Sequence, residues 1–205
     1  MRPLTLQKKY ICLDLKKNFV IPGIACWPSI SKKWVKKMGN GKDQGFFADV
    51  AVALNEALPQ TLLAIGPQAA EVFSDYQLAV PACAITHLRK GDWLAQVEAE
   101  GRFDFVFVSG VLEYLSRREA ANLLASLRDI HAQQLYALVS IGKAWLNHKS
   151  FWEYNDLIGF GMERVNIYAQ NGLPLALVKF DLRTYKVTPE WFNSKYWARP
   201  ELWGK

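Results

Sequence analysis

The sequence predicts an α/β fold: a mostly parallel sheet with helices on both faces and a C-terminal antiparallel hairpin. Three observations carry this. From Phe46 onward, short β-rich runs alternate with helical periodicity; those runs are apolar throughout; and a Gln170-Asn171-Gly172 turn signal joins the last two. Strands without polar alternation need cover on both faces, which helices crossing between parallel strands supply.

The elements follow in order. Phe46–Leu58 places Phe46, Phe47, Val50, Leu54 and Leu58 at helical spacing, and Pro59 ends it. Thr61–Ile65 is a first strand that runs straight into Gly66, followed by a helix near Ala69–Tyr76. Ala82–Leu88 reads as a second strand and Asp92–Glu100 as a short helix. Phe103–Val108 is a third strand, Arg117–His131 an amphipathic helix, Gln134–Ile141 a fourth strand and Phe151–Ile158 another helix. Arg164–Ala169 and Pro174–Tyr185 form the hairpin. The thirteen residues Arg89 to Gly101 are too few for a further helix and strand, so the sheet is expected to be one strand short on that side.

Composition bounds the rest. A chain of 205 residues, half of them apolar, can bury one substantial core, which points to one domain over residues 46–185. Residues 1–45 form a basic, poorly ordered N-terminal extension in this reading, and 186–205 an aromatic C-terminal tail. Apolar runs such as Phe105–Val108 and Leu135–Val139 fall far short of the roughly eighteen residues that span a membrane. Cys12, Cys26 and Cys83 are odd in number and widely spaced, and His87, His131 and His148 lack ligand spacing. Neither disulfides nor a metal are expected, and a reducing cytoplasm is the expected location.

The net charge of +6 is unevenly spread: residues 1–42 carry +9 and the remainder −3. The pairs Lys8-Lys9, Lys16-Lys17, Lys32-Lys33 and Lys36-Lys37, with Trp27 and Trp34, make nucleic acid a conceivable partner, although a solvated extension is the favoured reading. Pro22 interrupts the apolar run Phe19–Trp27, which argues against a secretion signal. The composition changes just after Met38-Gly39, which makes Met38 a second candidate start.

The order of elements over approximately residues 46–185 resembles the class I methyltransferases that use S-adenosylmethionine. The best local match is GRFDFVFVSGVLEYLSRREAANLLASL, residues 101–127, where Asp104 opens a strand and Glu113 and Tyr114 occupy the Glu-His positions of the family motif. The resemblance implies a Rossmann-like fold, with S-adenosylmethionine held across Gly66, Gln68, His87, Asp92, Trp93 and Ser109. Asp92, in Lys90-Gly91-Asp92-Trp93, resembles the Gly-Asp pair that meets the adenine amine, with Trp93 able to cover the base.

The cofactor loop departs from that family. Where members carry an acid, one apolar residue and Gly-x-Gly-x-Gly, this chain reads Ala64-Ile65-Gly66-Pro67-Gln68-Ala69-Ala70. Gln68 brings a side chain to where the backbone should approach the cofactor, and Thr86-His87-Leu88 lacks the acid that grips the ribose hydroxyls. Losing one such carboxylate weakens binding roughly 10- to 150-fold. The implied function is a methyltransferase-like protein of unknown substrate with weakened or lost S-adenosylmethionine binding. The alternative is a noncatalytic binding protein descended from the same fold, a pseudoenzyme.

The residues identify no catalytic group. Ser109, Tyr114 and Lys143 fall at or beyond the carboxyl ends of strands and are the expected pocket residues. Asp104 reads as architecture, Glu113 as first-turn helix charge and His131 as a helix-end residue favoured by the dipole. The segment from Thr188-Pro189 to Tyr196-Trp197 resembles the closing segment of an uncharacterised bacterial family of small methyltransferase-like proteins. Trp191, Trp197 and Trp203 recur every six residues, which predicts an irregular tail anchored by aromatics. It packs on its own domain in the favoured reading, and serves self-association or a protein partner in the other.

Overall fold

Every strand expected from the sequence is present, and alternate residues of each central strand supply two separate cores. The computed structural model describes residues 45–185 together with Lys195 and Arg199, so the basic extension with Trp27 and Trp34 and the tail with Trp191, Trp197 and Trp203 lie outside the described residues. In order they form α1 (Gly45–Ala57), β1 (Thr61–Ile65), α2 (Pro67–Ala79), β2 (Ala84–Leu88), α3 (Trp93–Glu98), β3 (Phe103–Ser109), α4 (Arg117–Ser126), β4 (Ala132–Ser140), α5 (Tyr154–Gly159), β5 (Glu163–Gln170) and β6 (Leu173–Asp181).

The six strands lie in the order β2-β1-β3-β4-β6-β5. β1 to β4 are mutually parallel, and β6 enters antiparallel between β4 and β5. This is a Rossmann-like, mostly parallel sheet with β2 at one edge and β5 at the other. The expected short sheet follows from the brief connection between β2 and β3, which holds only α3.

On one face Leu62 and Ala64, Phe105 and Phe107, Tyr136 and Leu138, and Leu175 and Leu177 meet α1 and α2. On the other, Leu63 and Ile65, Val106 and Val108, Ala137 and Val139, and Ala176 and Val178 meet α3, α4 and α5. Period-two geometry turns uniformly apolar strands into two buried faces. Phe105 of β3 stacks on Tyr136 of β4 at 4.9 Å, and Phe73 of α2 meets Phe107 edge-on at 5.5 Å, joining helix to sheet.

Local chemistry sets the boundaries. The hairpin turn places Asn171 and Gly172 at φ 52° and 77°, the left-handed pair that a two-residue turn requires. Ser116 and Glu119 form a reciprocal capping box that starts α4. The helix expected to run to His131 instead gives way to a π-helical turn over Leu127–His131. There buried His131 donates from Nδ1 to the Gly101 carbonyl at 3.0 Å, and Arg128 reaches the Phe160 carbonyl. α5 starts later than Phe151 because Trp152 bridges to Ile141 and Glu153 caps the helix with Asp156. β2 starts at Ala84 because Pro81 and Ala82 lie in a turn closed by Cys83 N–H to the Val80 carbonyl.

Asp104 opens β3 as an architectural residue. Its Oδ2 accepts from the amides of Gln60 and Thr61, both at 2.9 Å, and its own amide donates to Thr61 Oγ1. The Tyr168 hydroxyl bonds to Asp49, tying α1 to β5. Among the described residues no helix is long and apolar enough to cross a membrane, and no group of acids, histidines and cysteines is placed to hold a metal.

Candidate functional site

The carboxyl ends of β1 to β4 present two regions, one where β1 meets β2 and one between β3 and the hairpin. At the first, a single residue, Gly66, connects β1 to α2, and helix begins at Pro67. Gly66 is buried at φ 104°, and its amide donates to the Leu88 carbonyl at 2.8 Å. A β-carbon there would stand 2.0 Å from the Ser109 carbonyl oxygen and 2.8 Å from Val111 Cγ2. The one glycine kept from the family pattern is therefore required by the protein's own third strand. No extended loop remains to wrap a ligand.

Neighbouring side chains complete this packing. Ser109 Oγ donates to Gln68 Oε1 at 2.7 Å, so Gln68 folds back onto β3. Pro67 removes one of the first-turn amides of α2, and Gly66 gives it no side-chain cap. Asp92 caps α3, with Oδ1 accepting from the Ala95 amide at 3.2 Å. Trp93, half-buried, packs against the core cluster that also engages Leu88. His87 sits opposite Ala64 in register; burial and the Arg89 cation lower its pKa, so the imidazole is neutral at pH 7.

The second region is a cavity of about 200 Å³ lined by residues from β3, β4, the hairpin turn and the segment 141–152. Gly110, at φ 65°, turns the chain out of β3, and buried Val111 and Leu112 anchor a 3₁₀ turn over Leu112–Tyr114. That turn carries Glu113 inward to 3% exposure while leaving Tyr114 at 53%. Oε1 of Glu113 accepts from the Ser140 amide at 2.9 Å, whereas Oε2 has no donor among the described residues.

Segment 141–152 is fastened over this turn. The Glu113 carbonyl accepts the amides of Lys149 and Ser150, Ser150 Oγ donates to the Leu112 carbonyl at 2.7 Å, and Trp152 Nε1 donates to Ser150 Oγ. Arg117 lies over the fully buried Trp152 ring at 3.9 Å. The result is an aromatic group at the cavity wall: Trp145 stacks on His148 at 5.4 Å, and Tyr114 meets His148 edge-on at 5.4 Å. Trp145 is itself held through Nε1 to the Ile141 carbonyl.

The residues expected from the sequence divide between the two regions. Gly66, Gln68 and Ser109 come together, with Gln68 and Ser109 also reaching the cavity; His87, Asp92 and Trp93 lie at the β2–α3 side. Tyr114 lines the cavity, but Lys143 faces a separate surface hollow beside Arg117 and Lys149. Glu113, read from sequence as helix charge, is a buried wall of the cavity. Ser140 closes β4 and Trp145 and His148 follow it, and none carries a sequence signal beyond that place. A larger hollow of about 340 Å³ at the amino ends of the strands is lined by Asp104 and Arg183, groups already paired within the fold.

Residues 46–205 match the family described as "Family of unknown function (DUF6231)", and the chain belongs to that family. No curated protein sequence matches it. Among solved structures, TehB from Haemophilus influenzae is similar at 11% identity and a TM-score of 0.46, over 64% of this chain and 60% of TehB. Magnesium protoporphyrin IX methyltransferase from Synechocystis PCC 6803, solved with bound SAH, is 11% identical with a TM-score of 0.45, over 72% of this chain and 92% of that one. An O-methyltransferase family protein from Burkholderia thailandensis is 12% identical with a TM-score of 0.40, over 74% of this chain and 56% of its own. This chain thus spans less than two thirds of TehB and of the Burkholderia protein.

Proposed function

We propose that this family member is a noncatalytic binding protein built on a methyltransferase fold that no longer takes S-adenosylmethionine. The observation that carries the reading is the one-residue β1–α2 connection, with Gly66 set against the Ser109 carbonyl and Gln68 bonded to Ser109 Oγ. A cofactor seated there needs a loop that opens around it and donors or acceptors turned outward. Here β1 passes to α2 without such a loop, Ser109 Oγ and Gln68 Oε1 are bonded to each other, and Asp92 Oδ1 caps α3. A neutral His87 offers one bond where a ribose would be gripped by a carboxylate. The cavity between β3 and the hairpin is a concave surface at the ligand-binding end of the sheet.

Calorimetric titration of the full chain with S-adenosylmethionine and with its demethylated product tests this. No saturable heat is expected at millimolar ligand. A ligand that bound the native state at a hundredfold excess over its Kd would also stabilise the protein by about 2.7 kcal/mol, an obvious rise in Tm, and that result would refute the reading. The double variant Gln68→Gly with His87→Asp is expected to gain no affinity, because substitution at those positions does not restore a loop.

A further inference from the structure

We propose that the cavity beside Glu113 binds a small organic cation carrying N–H donors, an alkylammonium or guanidinium group. This rests on the reading that the β3–hairpin cavity is the binding site, and it adds the chemistry of the ligand. Glu113 is almost wholly withdrawn from solvent and forms part of the cavity wall. One carboxylate oxygen is matched by the Ser140 amide and the other has no donor among the described residues. A dehydrated carboxylate oxygen without a donor is costly, so a ligand that supplies one gains more there than it would at a solvated acid.

Two further features select a cation over a neutral donor. Among the described residues no Lys or Arg lines this cavity and Glu113 is the one acid that does, so a positive group there meets a carboxylate and no fixed cation. The Trp145–His148 stack and the edge-on Tyr114 provide aromatic surface beside the carboxylate, and an indole or phenol face attracts an ammonium or guanidinium group. The bonds from Ser150, Lys149 and Trp145 hold these rings in place before any ligand arrives, which lowers the entropy cost of binding. A cavity of about 200 Å³ has room for a short aliphatic amine or the head of a longer one.

The test is an amide-resolved NMR titration of the full chain with three probes matched in carbon skeleton: n-butylammonium chloride, 1-butanol and butyltrimethylammonium chloride. Butylammonium is expected to saturate with shifts at Glu113, Ser140 and Trp145, while butanol, which lacks the charge, and the trimethyl compound, which lacks N–H donors, bind at least about tenfold more weakly. Glu113→Gln keeps an acceptor for the Ser140 amide and is expected to weaken butylammonium roughly 10- to 150-fold while leaving butanol unchanged. Trp145→Ala, at the cavity wall, is the second variant and is expected to weaken butylammonium more than butanol. Equal binding of all three probes, saturation that spares these residues, or no saturable binding of butylammonium to the wild-type chain would each overturn the proposal. Because S-adenosylmethionine is titrated separately, cofactor binding with amine binding would refute only the functional reading, and neither would refute only this one.

Discussion

Gly66 shows how one residue can be conspicuous in sequence for a reason that only the structure supplies. It reads as the relic of a cofactor loop, yet its missing side chain is demanded by the Ser109 carbonyl and Val111 methyl, and its φ of 104° is disfavoured for any other residue. Gly66→Ala should therefore destabilise the fold by about 3 kcal/mol or more, measurable by urea denaturation, irrespective of any ligand. A cost below about 1 kcal/mol would mean that β1 and β3 are less tightly apposed. Asp104 invites the opposite comparison, since its architectural role was legible from its place at a strand start. Asp104→Ala leaves the amides of Gln60 and Thr61 without their acceptor and should cost about 2–3 kcal/mol in the same assay. Glu113 was not legible: a Glu after Gly110 has the same local pattern whether it caps a helix at the surface or turns inward. What buries it is β4, whose Ser140 amide meets its side chain, and the return of segment 141–152, whose Lys149 and Ser150 amides meet its carbonyl from far along the sequence.

At the scale of elements, boundaries follow side-chain chemistry that a sequence displays openly when the partners are near. The Ser116–Glu119 capping box is such a case, and Ser116→Ala should lower stability by about 1 kcal/mol in thermal unfolding. Long-range partners are less visible. Asp181, at the end of β6, accepts bonds from Arg183 and from Gln134 on β4, and the Arg183 guanidinium above all holds its pKa down to about 2 against an ordinary 3.8. The folded state binds this proton less readily than the unfolded chain, so the stabilisation is fully present above about pH 4 and is lost as pH falls through about 2. Asp181→Asn should cost about 1–2 kcal/mol at pH 7, allowing for the exposure of Arg183, with the difference from wild type shrinking below pH 4. A pH-independent difference would assign the effect to packing instead. The π-helical turn over Leu127–His131 escaped the sequence reading because helical periodicity continues through it; its anchor, the Gly101 carbonyl, is thirty residues away.

For the whole molecule, topology was the most legible property. Uniformly apolar strands demand a doubly covered sheet, the Asn171-Gly172 turn demands a hairpin, and the short connection after β2 leaves no room for a further strand; the order β2-β1-β3-β4-β6-β5 is supplied by the structure. The departure of the cofactor loop was also visible as missing glycines. The structure adds that Gly66 alone joins β1 to α2. The cavity is legible only in part, through Ser109 and Tyr114, since its walls come from five separate segments that meet only once β6 has entered between β4 and β5. We propose that the mouth beside Gly66 is closed by the protein itself. An amide-resolved titration of the full chain with S-adenosylhomocysteine tests it most directly. The resonances of Gly66, Gln68, His87 and Asp92 are expected to stay fixed up to millimolar ligand; saturable shifts centred on those residues would show that the mouth is open.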